Sequence, residues 1–217
     1  MYDRRVNDTI LTFGHSGRLY EQSFVFYDHQ TNSQWVHVTG EAMTGPYKGT
    51  VLTFLPSTVT SWQEWKSQYP QTQVLPGAGR GGFMGTYRGF YDIEQIGLVI
   101  SRFREAKLYP FNVLHDQPVI NDTFNGNPIV VTYNTAQRTA TAWSRIVEGK
   151  TLTFHAEYDP QRGFLIVDSE SSSRWNPTTG LAIDGPYHGT ELPALSYNPI
   201  RNDRFIALYL DGEIYSK

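Results

Sequence analysis

Hydrophobic and polar residues alternate in short blocks along this chain. Runs rich in β-branched and aromatic residues stand at 10–13, 24–27, 50–55, 97–100, 129–133, 139–143, 151–154 and 164–167, most of them flanked by Gly, Pro, Asn, Asp or Ser. Blocks of that length between turn signals predict strands, so the pattern reads as a mainly β protein. Helical signals are fewer. Ser61 and Glu64 fit a capping box, and the spacing of Trp62, Trp65 and Tyr69 puts three rings on one helical face before Pro70 ends the helix. Pro110 opens a further turn of helix through Leu114, and Asn202 or Asp203 caps another running to Tyr209. The expected fold class is β-rich α+β, with a few short helices covering sheet ends.

One stretch occurs twice. Residues 35–52 read WVHVTGEAMTGPYKGTVL and residues 175–192 read WNPTTGLAIDGPYHGTEL. The match extends back to Ser23 and Gly163, giving about 13 identities over roughly 30 aligned positions, the mark of an internal duplication. The repeated residues have mechanical reasons to recur. Gly45-Pro46 and Gly185-Pro186 punctuate turns, because Gly accepts positive φ and Pro fixes φ. Trp35, Trp175, Tyr47 and Tyr187 supply large apolar surfaces. The motif is thus expected to be a packed corner between strands, with Trp35 and Trp175 in equivalent surroundings. Two tandem related β units follow: residues 1–95, residues 96–217, and a glycine-rich connecting loop over 76–92. That loop, PGAGRGGFMG, lacks the GK[ST] and the strand–helix frame of a phosphate cradle.

Composition removes several function classes. The 217 residues carry 18 Lys and Arg against 21 Asp and Glu, a net charge of −3. That balance offers no basic footprint for nucleic acid. No apolar run approaches the ~18 residues of a membrane-spanning helix, and no stretch reads as a cleavable export signal. With no cysteine, thiolate zinc and iron–sulfur sites are excluded.

The motifs LTFGHSGRLY, FVFYDHQTNSQW, TGEAMTGPYKGTVL, KLYPFNVL, INDTFNGNPIVVTYNTAQRTATAW and TGLAIDGPYHGTEL resemble those of the prokaryotic domain-of-unknown-function family 3179 over nearly the whole chain. The resemblance implies a two-repeat protein with an extracytoplasmic home, in the periplasm or at the cell surface. It also implies a TYCPLCGTA-like segment in the first repeat. The corresponding stretch of the second repeat is Thr132–Ala140, which has no cysteine. Aligning the repeats leaves the first one short by roughly 40 residues at its N-terminal end. Residues 2–13 are then expected to form an edge that is covered, filled by the second unit, or paired in a homodimer.

Candidate chemistry rests on two sets of residues. Trp35, Trp62, Trp65, Tyr87, Arg80 and Arg88 are candidates to contact a carbohydrate or peptide ligand, the mark of a binding or scaffold module of the cell envelope. Alternatively, His15, His29 and His37, with Asp28 or Glu41 as oxygen donors, could hold zinc, copper or iron if strands near 10–14, 24–29 and 35–38 are antiparallel neighbours. That set would make a metal-dependent redox or hydrolytic enzyme. Asp28, Asp168 and Glu41 are also candidates for acid/base catalysis, although an Asp ending a strand more often accepts backbone N–H bonds in a turn. Gly14-His15-Ser16-Gly17 lacks the spacing of a serine-hydrolase elbow.

Overall fold

The structure is a computed structural model that describes residues 1–57, 62–73, 95–102 and 105–216. It is mostly β. The chain begins with a hairpin, β1 (Arg5–Val6) and β2 (Thr9–Ile10), and continues into a four-stranded antiparallel meander. That meander comprises β3 (Phe13–Tyr20), β4 (Ser23–Asp28), β5 (Gln34–Val36) and β6 (Ala42–Thr44). Helix α1 (Trp62–Gln68) follows. Next come β7 (Ile96–Arg102), β8 (Glu105–Pro110), α2 (Phe111–Asp116), β9 (Val119–Phe124), β10 (Asn127–Asn134) and β11 (Thr139–Ser144). The hairpin-and-meander plan then returns as β12 (Ile146–Val147), β13 (Lys150–Thr151), β14 (Phe154–Asp159), β15 (Gly163–Asp168), β16 (Arg174–Trp175) and β17 (Ala182–Asp184). The chain closes with β18 (Tyr197–Arg201), α3 (Asn202–Leu208) and β19 (Glu213–Ile214).

The two meanders have the same strand order, β3-β4-β5-β6 and β14-β15-β16-β17. Between and beside them lie a three-stranded sheet, β11-β10-β9, and a mixed four-stranded sheet, β18-β7-β8-β19. In the second sheet β19 runs parallel to β8, so the C-terminal residues return to the middle of the chain. The β9–β10 hairpin turns on Asn125-Gly126, both at positive φ, which suits the right-handed twist of its strands.

The duplication extends to the core. Val6, Leu11, Trp35, Ala42 and Leu52 form one buried cluster, and Val147, Leu152, Trp175, Ala182 and Leu192 occupy the matching places in another. The first pairs of this series are spaced one residue further apart than the last. The difference arises in the first hairpin of each meander. β3 carries a bulge in which Ser16 and Gly17 stand opposite no residue of β4 in the strand register, and it turns on Glu21-Gln22, both at positive φ. β14 is shorter and lacks the bulge, and three residues, 160–162, link it to β15.

Three expected strands need correction. Residues 10–13 and 151–154 are each split by a bend that turns Leu11 and Leu152 fully into the core. Residues 50–55 pair only through the isolated bridges of Val51 with Glu41 and Phe54 with Tyr2. A short apolar run marks burial, but a corner can bury it as well as a strand. The helices lie close to expectation, at 62–68, 111–116 and 202–208. Ser61 and the 76–92 loop lie outside the described residues.

Candidate functional site

The repeated corner is held by a buried carboxylate. Asp28 is wholly buried at the end of β4, and its Oδ2 accepts the indole N–H of Trp35 at 2.9 Å. Its Oδ1 accepts the backbone N–H of Thr31 at 2.6 Å and the Thr31 hydroxyl at 2.8 Å. Thr31 Oγ1 lies 2.6 Å from Ser33 Oγ, and Ser33 Oγ accepts the backbone N–H of Tyr47. The second copy repeats each link. Trp175 donates to Asp168 at 2.9 Å, Ser171 N–H donates to Asp168 at 2.6 Å, and Ser173 Oγ accepts the N–H of Tyr187. Burial by itself would raise the carboxyl of Asp28, but the bonds from Trp35, Thr31 and Ser33 outweigh it and hold the group below its ordinary range. A carboxylate so fully occupied has no lone pair facing a substrate. Asp28 and Asp168 brace tryptophans, and Trp35, with no exposed surface, touches no ligand.

A second repeated contact closes each corner. The Tyr2 ring lies over Gly40, its hydroxyl donating to the carbonyls of His37 and Val38. Trp143 lies over Gly180 and donates to the Pro177 carbonyl. Residues 2–13 are thereby engaged, since β1 pairs with β2 and Tyr2 bridges to Phe54.

The strands expected to gather His15, His29 and His37 are neighbours, but the imidazoles do not converge. His15 rests against Phe24, and His37 packs between Tyr2 and Phe26. His29 instead packs on Tyr27, whose ring lies across Gly14. Tyr27 is one residue from Phe26 on β4 and so faces the opposite side of the sheet. All three imidazoles are exposed. Glu41 is half-buried beside Thr39, and Asp28 is sealed under Trp35. Among the described residues no group of three His, Cys, Asp or Glu is placed to hold a metal ion.

An ionic cluster around the buried Lys107, which sequence reading did not single out, joins β8, β9 and β19. Lys107 Nζ lies 2.9 Å from Asp122 and 2.7 Å from Glu213, and the Tyr109 hydroxyl donates to Asp122 at 2.8 Å. Burial would lower the Lys107 ammonium, but its two carboxylate partners raise it overall. Burial would raise Asp122, but Lys107, the Thr123 N–H and Tyr109 lower it overall. The Tyr109 phenol is pushed up by burial and by Asp122. Lys107, Asp122 and Tyr109 are therefore each fixed in their ordinary charge state near neutral pH, and none of the three is poised to take or give a proton. The cluster is a strut. Its only advance signals were a lysine and an aspartate within apolar runs.

Trp65 of α1 and Tyr69 just past its end line a concave surface. Trp65 and Tyr69, one helical turn apart, pair at 4.4 Å between ring centres, and the Trp65 indole donates to Thr72 at 2.9 Å. With Met1, Pro56 and Ser57 they line a cavity of about 640 Å³. The second repeated corner contributes Trp143, Thr178, Thr179, Glu191 and Pro193 to the same lining. Trp62 is half exposed and carries Lys66 over its ring at 5.7 Å, and it does not line the cavity. Sequence reading found Trp65 through its helical spacing. It missed Thr178, Thr179 and Glu191, whose approach to α1 depends on tertiary folding. Arg80, Tyr87 and Arg88 lie outside the described residues.

No helix among the described residues is long and apolar enough to cross a membrane. No curated protein and no solved structure matches the chain. One family model matches it twice, over residues 1–97 and again over residues 84–217. Each copy of the braced corner falls within one of these matches, and on that evidence the chain belongs to the two-repeat family described as Protein of unknown function (DUF3179).

Proposed function

We propose that this protein is a non-catalytic binding module of the cell envelope that takes a carbohydrate ligand in the cavity between α1 and the second repeated corner. The observation that carries this reading is a cavity of about 640 Å³ lined both by the paired rings of Trp65 and Tyr69 and by Thr178, Thr179 and Glu191. The volume suits a small ligand, and mostly apolar walls with a few convergent polar groups are usual for such sites. Sugar rings present C–H faces that pack on aromatic rings and hydroxyls that both donate and accept. Hydroxyl and carboxylate side chains in one lining with an aromatic pair match both properties. The anchored indole of Trp65 loses little freedom on binding. The extracytoplasmic home implied by the family resemblance is the setting in which this reading places the ligand.

The test is affinity electrophoresis and co-sedimentation with peptidoglycan, chitin and cellulose, together with a soluble oligosaccharide array. Trp65→Ala and Tyr69→Ala should each weaken retention about tenfold while circular dichroism stays unchanged. Trp62→Ala should leave retention as it is. Absence of retention on every matrix, or retention indifferent to Trp65 and Tyr69, would overturn the proposal.

A further inference from the structure

The duplication sets two cavities in matching places. One, of about 510 Å³, takes Thr39, Val51, Leu52, Thr53 and Phe54 of the first corner into its lining. The cavity of about 640 Å³ beside α1 takes Thr179, Glu191, Leu192, Pro193 and Ala194, the same positions of the second corner. Glu191 thus stands where the first corner has Val51. The backbone does the same at both places, since Val51 bridges Glu41 and Glu191 bridges Leu181. The corner therefore closes without an acid at this position. The Glu191 side chain is exposed, and its carboxylate makes no ion pair or hydrogen bond among the described residues. Among the described residues lining the larger cavity it is the one charged side chain. Its charge is open to a guest.

We infer that this cavity selects, among carbohydrates, a hexosamine whose amino group is unacetylated and protonated, a glucosamine unit by chemistry; the inference rests on the carbohydrate reading proposed above. An ammonium suits both parts of the lining. It donates up to three N–H bonds, and a carboxylate accepts them with charge assistance. Aromatic faces also attract a cation, the indole most strongly. The Trp65 N–H is already given to Thr72, so the indole offers a guest its ring face. An N-acetylated unit replaces the ammonium by a bulkier neutral amide and loses both attractions. An acidic sugar would set like charge against Glu191. Because Glu191 is exposed, the pair stays partly hydrated, and the preference it creates is modest.

The test is isothermal titration calorimetry of the full chain with the tetrasaccharides of glucosamine and of N-acetylglucosamine, in mildly acidic buffer that keeps the sugar amine protonated. The glucosamine oligomer should bind about fivefold more tightly, the scale of one exposed ion pair. Glu191→Gln should bring it down to the affinity of the acetylated oligomer and leave the acetylated oligomer unchanged. The variant should melt as the parent does, because valine fills the matching position of the first corner. Glu105→Gln removes an exposed carboxylate outside this lining and should leave the preference intact, which separates the site from the general attraction of a cation to a chain of net charge −3. Trp65→Ala should weaken both oligomers. Equal binding of the two sugars would overturn the inference and leave the carbohydrate reading standing, as would a preference that survives Glu191→Gln or falls equally in Glu105→Gln. Binding of neither oligomer would overturn both.

Discussion

Replacing either tryptophan of the repeated corners by phenylalanine tests whether the buried carboxylates are structural braces. Trp35→Phe removes the N–H that bonds Asp28 at 2.9 Å and leaves the other bonds to that carboxylate in place. A hydrogen bond to a charged group contributes about 1.5–3 kcal/mol, and the wholly buried Asp28 has no water to replace it. The smaller ring adds a void of ~40 Å³, about 1 kcal/mol at ~24 cal/mol per Å³. The expected loss is about 2.5–4 kcal/mol. Trp175→Phe should lose a similar amount, because Trp175 donates to Asp168 at the same 2.9 Å and Asp168 is equally buried. Urea unfolding followed by far-ultraviolet circular dichroism measures both without depending on tryptophan emission. Pairing Trp35→Phe with Asp28→Asn isolates the bond, since the two changes should be less than additive by about 1–2 kcal/mol. Asp28 is depressed in the folded state, so its contribution is present above the ordinary carboxylate pKa of about 3.9 and is lost as pH falls through the depressed value. Single-variant losses below about 1 kcal/mol, or full additivity, would refute the brace.

Further outcomes follow from the same geometry. Gly45 and Gly185 sit at φ +83° and +86°, and an added Cβ would stand within 2.7 Å of the Ser33 or Ser173 backbone. Gly49 and Gly189 have nearly the same φ but open space around them. Alanine at Gly45 or Gly185 should therefore cost about 3 kcal/mol or more by thermal melting, against about 1 kcal/mol at Gly49 or Gly189. Asp122→Asn leaves Lys107 buried with Glu213 as its remaining carboxylate, and should destabilise by about 2–3 kcal/mol in urea titrations. The strut's pH window is set by two opposite shifts. Asp122 is lowered, so its contribution holds above about pH 4 and disappears as pH falls through its folded value. Lys107 is raised, so its contribution is full below its ordinary pKa of about 10.4 and is lost as pH rises through the folded value. Amide exchange at β19 should accelerate outside that window, and uniform protection across it would contradict the strut.

Residue spacing could carry the duplication because the corner is local. Asp28, Thr31, Ser33, Trp35 and Tyr47 lie within one short stretch, so their roles recur wherever the stretch recurs. The glycine positions were legible for the same reason, since a positive-φ turn constrains one residue at a time. The histidine set failed on a question that spacing could not answer. His29 lies just past the end of β4 and follows the side of Tyr27, whereas His15 and His37 lie by Phe24 and Phe26. A ligand set needs all its members on one face, and a single step along a strand reverses the face.

The amino-acid sequence by itself determined the β-rich class, the two copies of the corner, the short helices and the family, because strand period, turn chemistry and repeated apolar positions are properties of neighbouring residues. Tertiary structure decided everything that joins distant segments. It set the pairing of β19 with β8, and it closed Lys107 between Asp122 and Glu213. It also carried Trp65 to Thr178 and Glu191, and Phe54 to Ile129 and Ser196. A cavity is the space that packing leaves between such segments, and its shape depends on contacts that no run of neighbouring residues encodes.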